Sequence, residues 1–134
     1  MLSNELRAAV ERRLTAEPAI VAAWLFGSTA RGTERPGSDV DIAVLTSRRA
    51  DHTIADLWLE LRADLAGLVG REVDLVVMDD APADLAHRVM RDGVILVDRD
   101  RSARIRFEVA ARNRFFDMTP IWDEYRRARP RPTT

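Results

Sequence analysis

Asp39 and Asp41 stand one residue apart at the end of Gly27-Ser28-Thr29-Ala30-Arg31-Gly32-Thr33-Glu34-Arg35-Pro36-Gly37-Ser38-Asp39-Val40-Asp41. On an extended strand, side chains at i and i+2 point to one face. Two carboxylates so placed repel each other and are costly beside a sheet core. A divalent cation resolves that cost, and hard oxygen ligands suit Mg2+ or Mn2+. A third carboxylate, Asp74, lies in Glu72-Val73-Asp74-Leu75-Val76. If its strand is the parallel neighbour of the strand holding Asp41, three carboxylates meet, enough for a two-metal site. Glu72, on the same face two residues earlier, is the alternative to Asp74.

Gly27-Ser28 closes an apolar run, and glycine there lets backbone approach a ligand. Backbone N–H groups opening a helical turn, with the Ser28 hydroxyl, suit phosphate. Arg31 either contacts that phosphate or covers the loop. Ser38 joins the same set or only caps the turn before the strand. Antiparallel pairing of the two strands would bring Gly27-Ser28 beside Asp39 and Asp41. Phosphate cradle and metal carboxylates together imply phosphoryl or nucleotidyl transfer.

The elements that must position these residues can be read from periodicity. Leu6, Ala9, Val10 and Leu14 predict an amphipathic helix over 3–16, stopped by Pro18. Ile20 to Phe26 reads as a buried strand, and 27–38 as a loop with one helical turn after Gly27. Asp39 to Leu45 reads as the second strand. Thr53 caps a helix whose apolar face is Ile54, Leu57, Trp58, Leu61, Leu65 and Leu68, and Gly70 ends it. Glu72 to Met78 is the third strand. A helix opening at Pro82 closes before Gly93, and Val94 to Val97 is a short strand. From Arg101 the pattern is helical, with a break and restart at Thr119-Pro120. The helix between the second and third strands makes them parallel, and the short loop between the first two permits an antiparallel pair. The predicted class is therefore α/β (α+β), a small mixed sheet with flanking helices and a C-terminal helical arm. The expected division is 1–98 for the main body, 99–129 for the arm and 130–134 for a flexible tail.

The segment Gly27-Ser28, ten residues, Asp39-x-Asp41 resembles the signature of the polymerase-β-like nucleotidyltransferases, and Asp74 fits their third carboxylate. The Gly-Ser-x-Ala-Arg-Gly form resembles the minimal nucleotidyltransferases of HEPN/MNT toxin–antitoxin pairs, the MntA-type antitoxins. The resemblance covers residues from about 20 to 98 well and the Arg101–Arg127 stretch more loosely. It implies that Asp39 and Asp41 bind metal, that Asp74 completes the site and helps activate the attacking hydroxyl, and that Gly27 and Ser28 hold a triphosphate. It further implies ATP as substrate, two Mg2+ ions, and a HEPN-domain RNase toxin as partner, silenced by AMPylation of a tyrosine hydroxyl. The other readings are an antitoxin that neutralises by binding alone and a small-molecule nucleotidyltransferase.

The 134 residues fit one domain with a real core, and net charge −1 argues against a nucleic-acid coat protein, so no direct nucleic-acid partner is expected. There is no cysteine, hence no disulfide, thiolate zinc site or cysteine nucleophile. No apolar run reaches a membrane span and no signal peptide is evident, so a cytoplasmic protein without membrane contact is expected. All 21 basic residues are arginine, so any side-chain cation on the phosphates is an arginine, with Arg31 and Arg35 the nearest. Charge is uneven. Residues 1–98 hold 11 Arg against 17 Asp and Glu, net −6, and residues 99–134 hold 10 against 5, net +5.

The 37 residues after Val97 leave room for a docking arm rather than an acceptor pocket, so the acceptor is expected from outside. Phe115, Phe116, Trp122 and Tyr125 are half of the chain's eight aromatics, and make an exposed interface or pack on the sheet. Arg99, Arg101, Arg104 and Arg106 read either as a solvated face or as a docking surface. Trp24, Phe26, Trp58 and Leu61 are expected in the core. Asp79-Asp80 is expected to cap the helix after it. His52 and His87 lack a second histidine at ligand spacing and are expected on the surface or in loops.

Overall fold

β-Branched and aromatic residues without a polar break make the run after Pro18 a strand with both faces covered. In the computed structural model, which describes residues 2–32, 38–47 and 54–128, that run is β1 (Ile20–Phe26). The other elements are α1 (Asn4–Thr15), α2 (Gly27–Arg31), β2 (Val40–Thr46), α3 (Ile54–Val69), β3 (Val73–Val77), a 3-10 turn (Met78–Asp80), α4 (Ala83–Asp92), β4 (Val94–Asp98) and α5 (Arg101–Ala128). The sheet order is β3-β2-β1-β4. β1 is antiparallel to β2 and to β4, while β2 and β3 are parallel. The expected mixed sheet and both expected strand pairings are therefore present.

Strand parity divides the core in two. Ile42 and Val44 of β2 and Leu75 of β3 share one cluster with Val10 and Leu14 of α1 and Leu61 and Leu65 of α3. Ala43 and Leu45 of β2 and Trp24 and Phe26 of β1 share the other with Ala86 and Val89 of α4 and Ala111 of α5. Trp24, Phe26 and Leu61 are buried as expected. Trp58 is half-buried, and its Nε1–H donates to the Leu75 carbonyl at 2.6 Å, while Arg62 Nε donates to the Val73 carbonyl at 3.1 Å. These two side chains of α3 supply donors to carbonyls of the edge strand β3.

Several expectations need correction. α5 does not break at Thr119-Pro120; it is one helix of 28 residues, about 42 Å long, with Pro120 inside it. Proline leaves the carbonyl four residues earlier without its N–H partner. That carbonyl belongs to Phe116, an exposed residue, so the cost of the lost bond is small there. Gly93 closes α4 with its N–H on the Val89 carbonyl at 2.7 Å, but with φ −78° rather than in the left-handed region. Glycine is needed for space, since a Cβ there would strike the Val89 carbonyl and lie 3.4 Å from Trp24 Cβ. Asp79 does not cap α4; it accepts the Thr46 N–H at 3.0 Å and the Thr46 hydroxyl at 2.9 Å. His87 is neither on a loop nor at the surface: it lies on α4, both ring nitrogens are buried, and its ring meets Phe115 edge-on at 3.7 Å. Arg35, His52, the Thr53 cap and residues 130–134 lie outside the described residues.

Candidate active site

Register brings the carboxylates together. Asp41 is the direct partner of Asp74 across the parallel β2–β3 pair and of Phe26 across the antiparallel β1–β2 pair. Asp41 therefore lies one residue from Gly27. Asp39 sits just before β2, two residues from Asp41. By parity, Asp41 shares its sheet face with Ala43 and Leu45, and Asp74 shares that face with Val76. Glu72 stands 3.4 Å from Arg62 of α3, so of the two alternatives Asp74 is the one aligned with Asp41.

The electrostatics agree with that placement. Burial first, then Asp74, then Asp39, raise the pKa of Asp41 above the ordinary aspartate value, while Arg88 and Arg31 pull it back. Asp41 is half-buried, whereas Asp39 and Asp74 are exposed.

Gly27 explains why the first strand must end as it does. Its φ is +72°, and a Cβ built there would collide with Asp41 Oδ2 and sit 3.0 Å from Cγ. Only glycine lets the backbone turn here and lie against the Asp41 carboxylate. α2 then starts at once, with Ser28 in its first turn and Phe26 at its N-cap giving no side-chain bond. Amide N–H groups at such a start have no intrahelical partners and face an incoming anion. Arg31 ends α2 and stands 3.8 Å from Asp92 of α4. Ser38, half-buried, leads into Asp39.

The donor set fits a divalent cation in chemistry: hard carboxylate oxygens, with one carboxylate's pKa raised by burial first and by its two neighbours next. Among the described residues no three His, Cys, Asp or Glu side chains already stand in ligand geometry. A cleft of about 1210 Å³ opens at the opposite end of β2, lined by Thr46, Asp79, Arg101, Arg106 and Phe107 among others. It includes none of the three carboxylates, so volume alone does not mark the chemistry.

Two residues went unread in the sequence. Arg88 and Asp92 lie four apart on α4, a spacing that reads as a solvated helix face. Only the packing of α4 over the sheet brings Arg88 within range of Asp41, and Asp92 to 3.8 Å from Arg31. The basic stretch also divides. Arg99 donates to the Thr15 and Glu17 carbonyls, and Arg104 pairs with Asp98 at 2.9 Å and with Glu108, so both are structural. Arg101 and Arg106 are exposed.

Comparison with known proteins supports the same assignment. Residues 9–102 match the family model described as polymerase beta, nucleotidyltransferase. The protein adenylyltransferase MntA of Shewanella oneidensis is 37% identical over 76 residues, 57% of this chain. That alignment spans about half, 52%, of the relative's own length. A crystal structure of a toxin–antitoxin with AMP-PNP superposes with TM-score 0.72 at 27% identity, covering 92% of this chain and 98% of that one. The complex of a tri-AMPylated Shewanella oneidensis HEPN toxin with MNT antitoxin shares the fold, with TM-score 0.68 at 24% identity over 90% of this chain and 96% of that one. With its fold, its strand-end glycine and its aligned aspartates inside the matched segment, the chain belongs to the polymerase β nucleotidyltransferase family.

Proposed function

We propose that the protein is a Mg2+-dependent adenylyltransferase that moves AMP from ATP to a tyrosine hydroxyl of a HEPN-domain toxin, and so acts as its antitoxin. The observation that carries this reading is the register pair Asp41–Asp74 with Gly27 against the Asp41 carboxylate. Similarity to an adenylyltransferase and to a toxin–antitoxin complex with AMP-PNP supports the choice of AMP donor and partner.

Asp39, Asp41 and Asp74 would hold the ions, with Mn2+ as an alternative, and these would neutralise the triphosphate and favour the ionised acceptor oxygen. Ser28, the N–H groups at the start of α2 and Arg31 bind the phosphates, with Ser38 at the rim of the same site. The acceptor oxygen forms its bond to the α-phosphorus while the bond to pyrophosphate breaks. Asp74, exposed beside Asp41, takes the hydroxyl proton. α5 supplies the docking arm: Phe116, Ile121 and Tyr125 are 58%, 55% and 66% exposed, far more than core residues of these types.

The test mixes the purified protein with a HEPN-type partner encoded beside it, Mg2+ and ATP, and weighs the partner. A gain in AMP units that disappears with Asp39→Asn or Asp41→Asn is the expected result. A partner that stays unmodified yet silenced overturns it and favours the second reading, neutralisation by binding through the exposed face of α5. AMP appearing on a free hydroxyl compound instead would point to a small-molecule enzyme.

A further inference from the structure

Three carboxylates and a triphosphate carry more negative charge than two divalent cations offset, and the chain has no lysine to supply the balance. Arg31 is one candidate cation. The tertiary structure brings another, on α4, within range of the same carboxylate, Asp41.

Asp41 and Asp74 leave the sheet on the face that α4 covers, the face of Ala43 and Val76, where Ala86 and Val89 pack. α4 ends at the same end of the sheet as the carboxylates: Val94, two residues after it, is paired with Leu25, two residues before Gly27. In its last turn Asp92 stands 3.8 Å from Arg31 and accepts two bonds from Arg91 at 3.0 Å. An acid in the last turn of a helix works against the helix dipole. Asp92 therefore gains nothing from the helix dipole, and its partners are the guanidiniums of Arg91 and Arg31. Arg88 lies one turn earlier on the same helix face. It is exposed, and among the described residues no hydrogen bond or ion pair engages it. Its field nonetheless reaches both Asp41 and Asp92.

We propose that Arg88 is a phosphate-binding residue of the nucleotide site, and that Asp92 is a positioning residue that holds Arg31 toward the same phosphates. The inference rests on the nucleotidyltransferase reading and adds α4 as the second wall of that site. A guanidinium matches two phosphate oxygens at once, which an exposed arginine whose field reaches Asp41 is free to do.

The experiment measures ATP binding by titration calorimetry with Mg2+ present, alongside the KM for ATP and kcat of transfer to the toxin. Arg88→Ala is expected to weaken ATP binding about tenfold or more, and Arg88→Lys to restore part of it. The thermal midpoint should not move, because the side chain is exposed. Asp92→Asn is expected to raise KM for ATP about threefold, kcat being unchanged, and to add nothing when Arg31 is already alanine. Wild-type ATP affinity in Arg88→Ala overturns the role of Arg88. An Asp92→Asn effect that persists in full without Arg31 overturns the role of Asp92. A wild-type protein that binds ATP through Arg88 but modifies no toxin leaves this inference standing and overturns only the acceptor. A wild-type protein that binds no ATP overturns both.

Discussion

Strand β2 meets an aspartate at each of its ends, and the two aspartates have opposite surroundings. At the Thr46 end, Asp79 takes one backbone N–H and one hydroxyl, so its charge is answered by donors and ties the 3-10 turn to the sheet. At the Asp41 end, a half-buried carboxylate faces two others, and among the described residues the fields of Arg88 and Arg31 oppose its raised pKa. Identical side-chain chemistry thus serves the fold at one end and weakens it at the other. A carboxylate held where it repels its neighbours marks a place for a positive ligand.

The largest effect should come from Asp41→Asn. AMP transfer is expected to fall by about 10² or more, as when a metal ligand is lost, while metal-free stability is unchanged or higher. The pH dependence carries the sign. Because the folded pKa of Asp41 is raised, its contribution to stability is fully present below the unfolded value and is lost as pH rises through the folded one. The difference between wild type and Asp41→Asn should therefore widen, against wild type, as pH rises toward neutrality in metal-free solution. Thermal melts across that range, repeated with Mg2+, check it: Mg2+ should raise the wild-type midpoint and leave the variant nearly unmoved. A wild type indifferent to Mg2+ would break the contrast between the two ends.

Gly27→Ala comes next. Its methyl group must displace the Asp41 carboxylate in a left-handed backbone, so about 1–3 kcal/mol of stability should be lost together with transfer. Chemical denaturation and the transfer assay read the two losses. Asp79→Ala should cost about 1–3 kcal/mol, chiefly from the unsatisfied Thr46 N–H, with kcat of the folded protein unaltered. A fall in kcat would show that the far end is coupled to the site. The smallest effect belongs to Phe116→Ala, an exposed side chain of α5. Stability should stay within about 0.5 kcal/mol, while the toxin complex weakens in a pull-down or calorimetric titration.

Much of the site was legible because it depends on local rules. The i, i+2 spacing of Asp39 and Asp41, the glycine at the strand end and the parallel pairing forced by the α3 crossover needed no coordinates. Arg88 and Asp92 were not legible, since four-residue spacing on a helix says nothing about which face another element will meet. Asp79 misled for a similar reason: an acid before a helix reads as a cap, yet its partner lies 33 residues away across the sheet. His87 carried no periodic signal that distinguished surface from the α4–α5 seam where Phe115 meets it.

Sequence alone therefore determined the order of strands and helices, the Asp39–Asp41 pair and the arginine-only chemistry, because each follows from periodicity, residue type or composition. The tertiary structure decided what depends on contacts between distant segments. It aligned Asp74 rather than Glu72 with Asp41, carried α5 unbroken through Pro120, and brought the end of α4 beside Arg31. It also sorted the arginines, turning Arg99 and Arg104 to structural partners and leaving Arg88 exposed on α4 with its field on Asp41. The physical reason is range: a backbone preference acts over a turn or a strand, whereas a charge finds its partner only after the chain has folded.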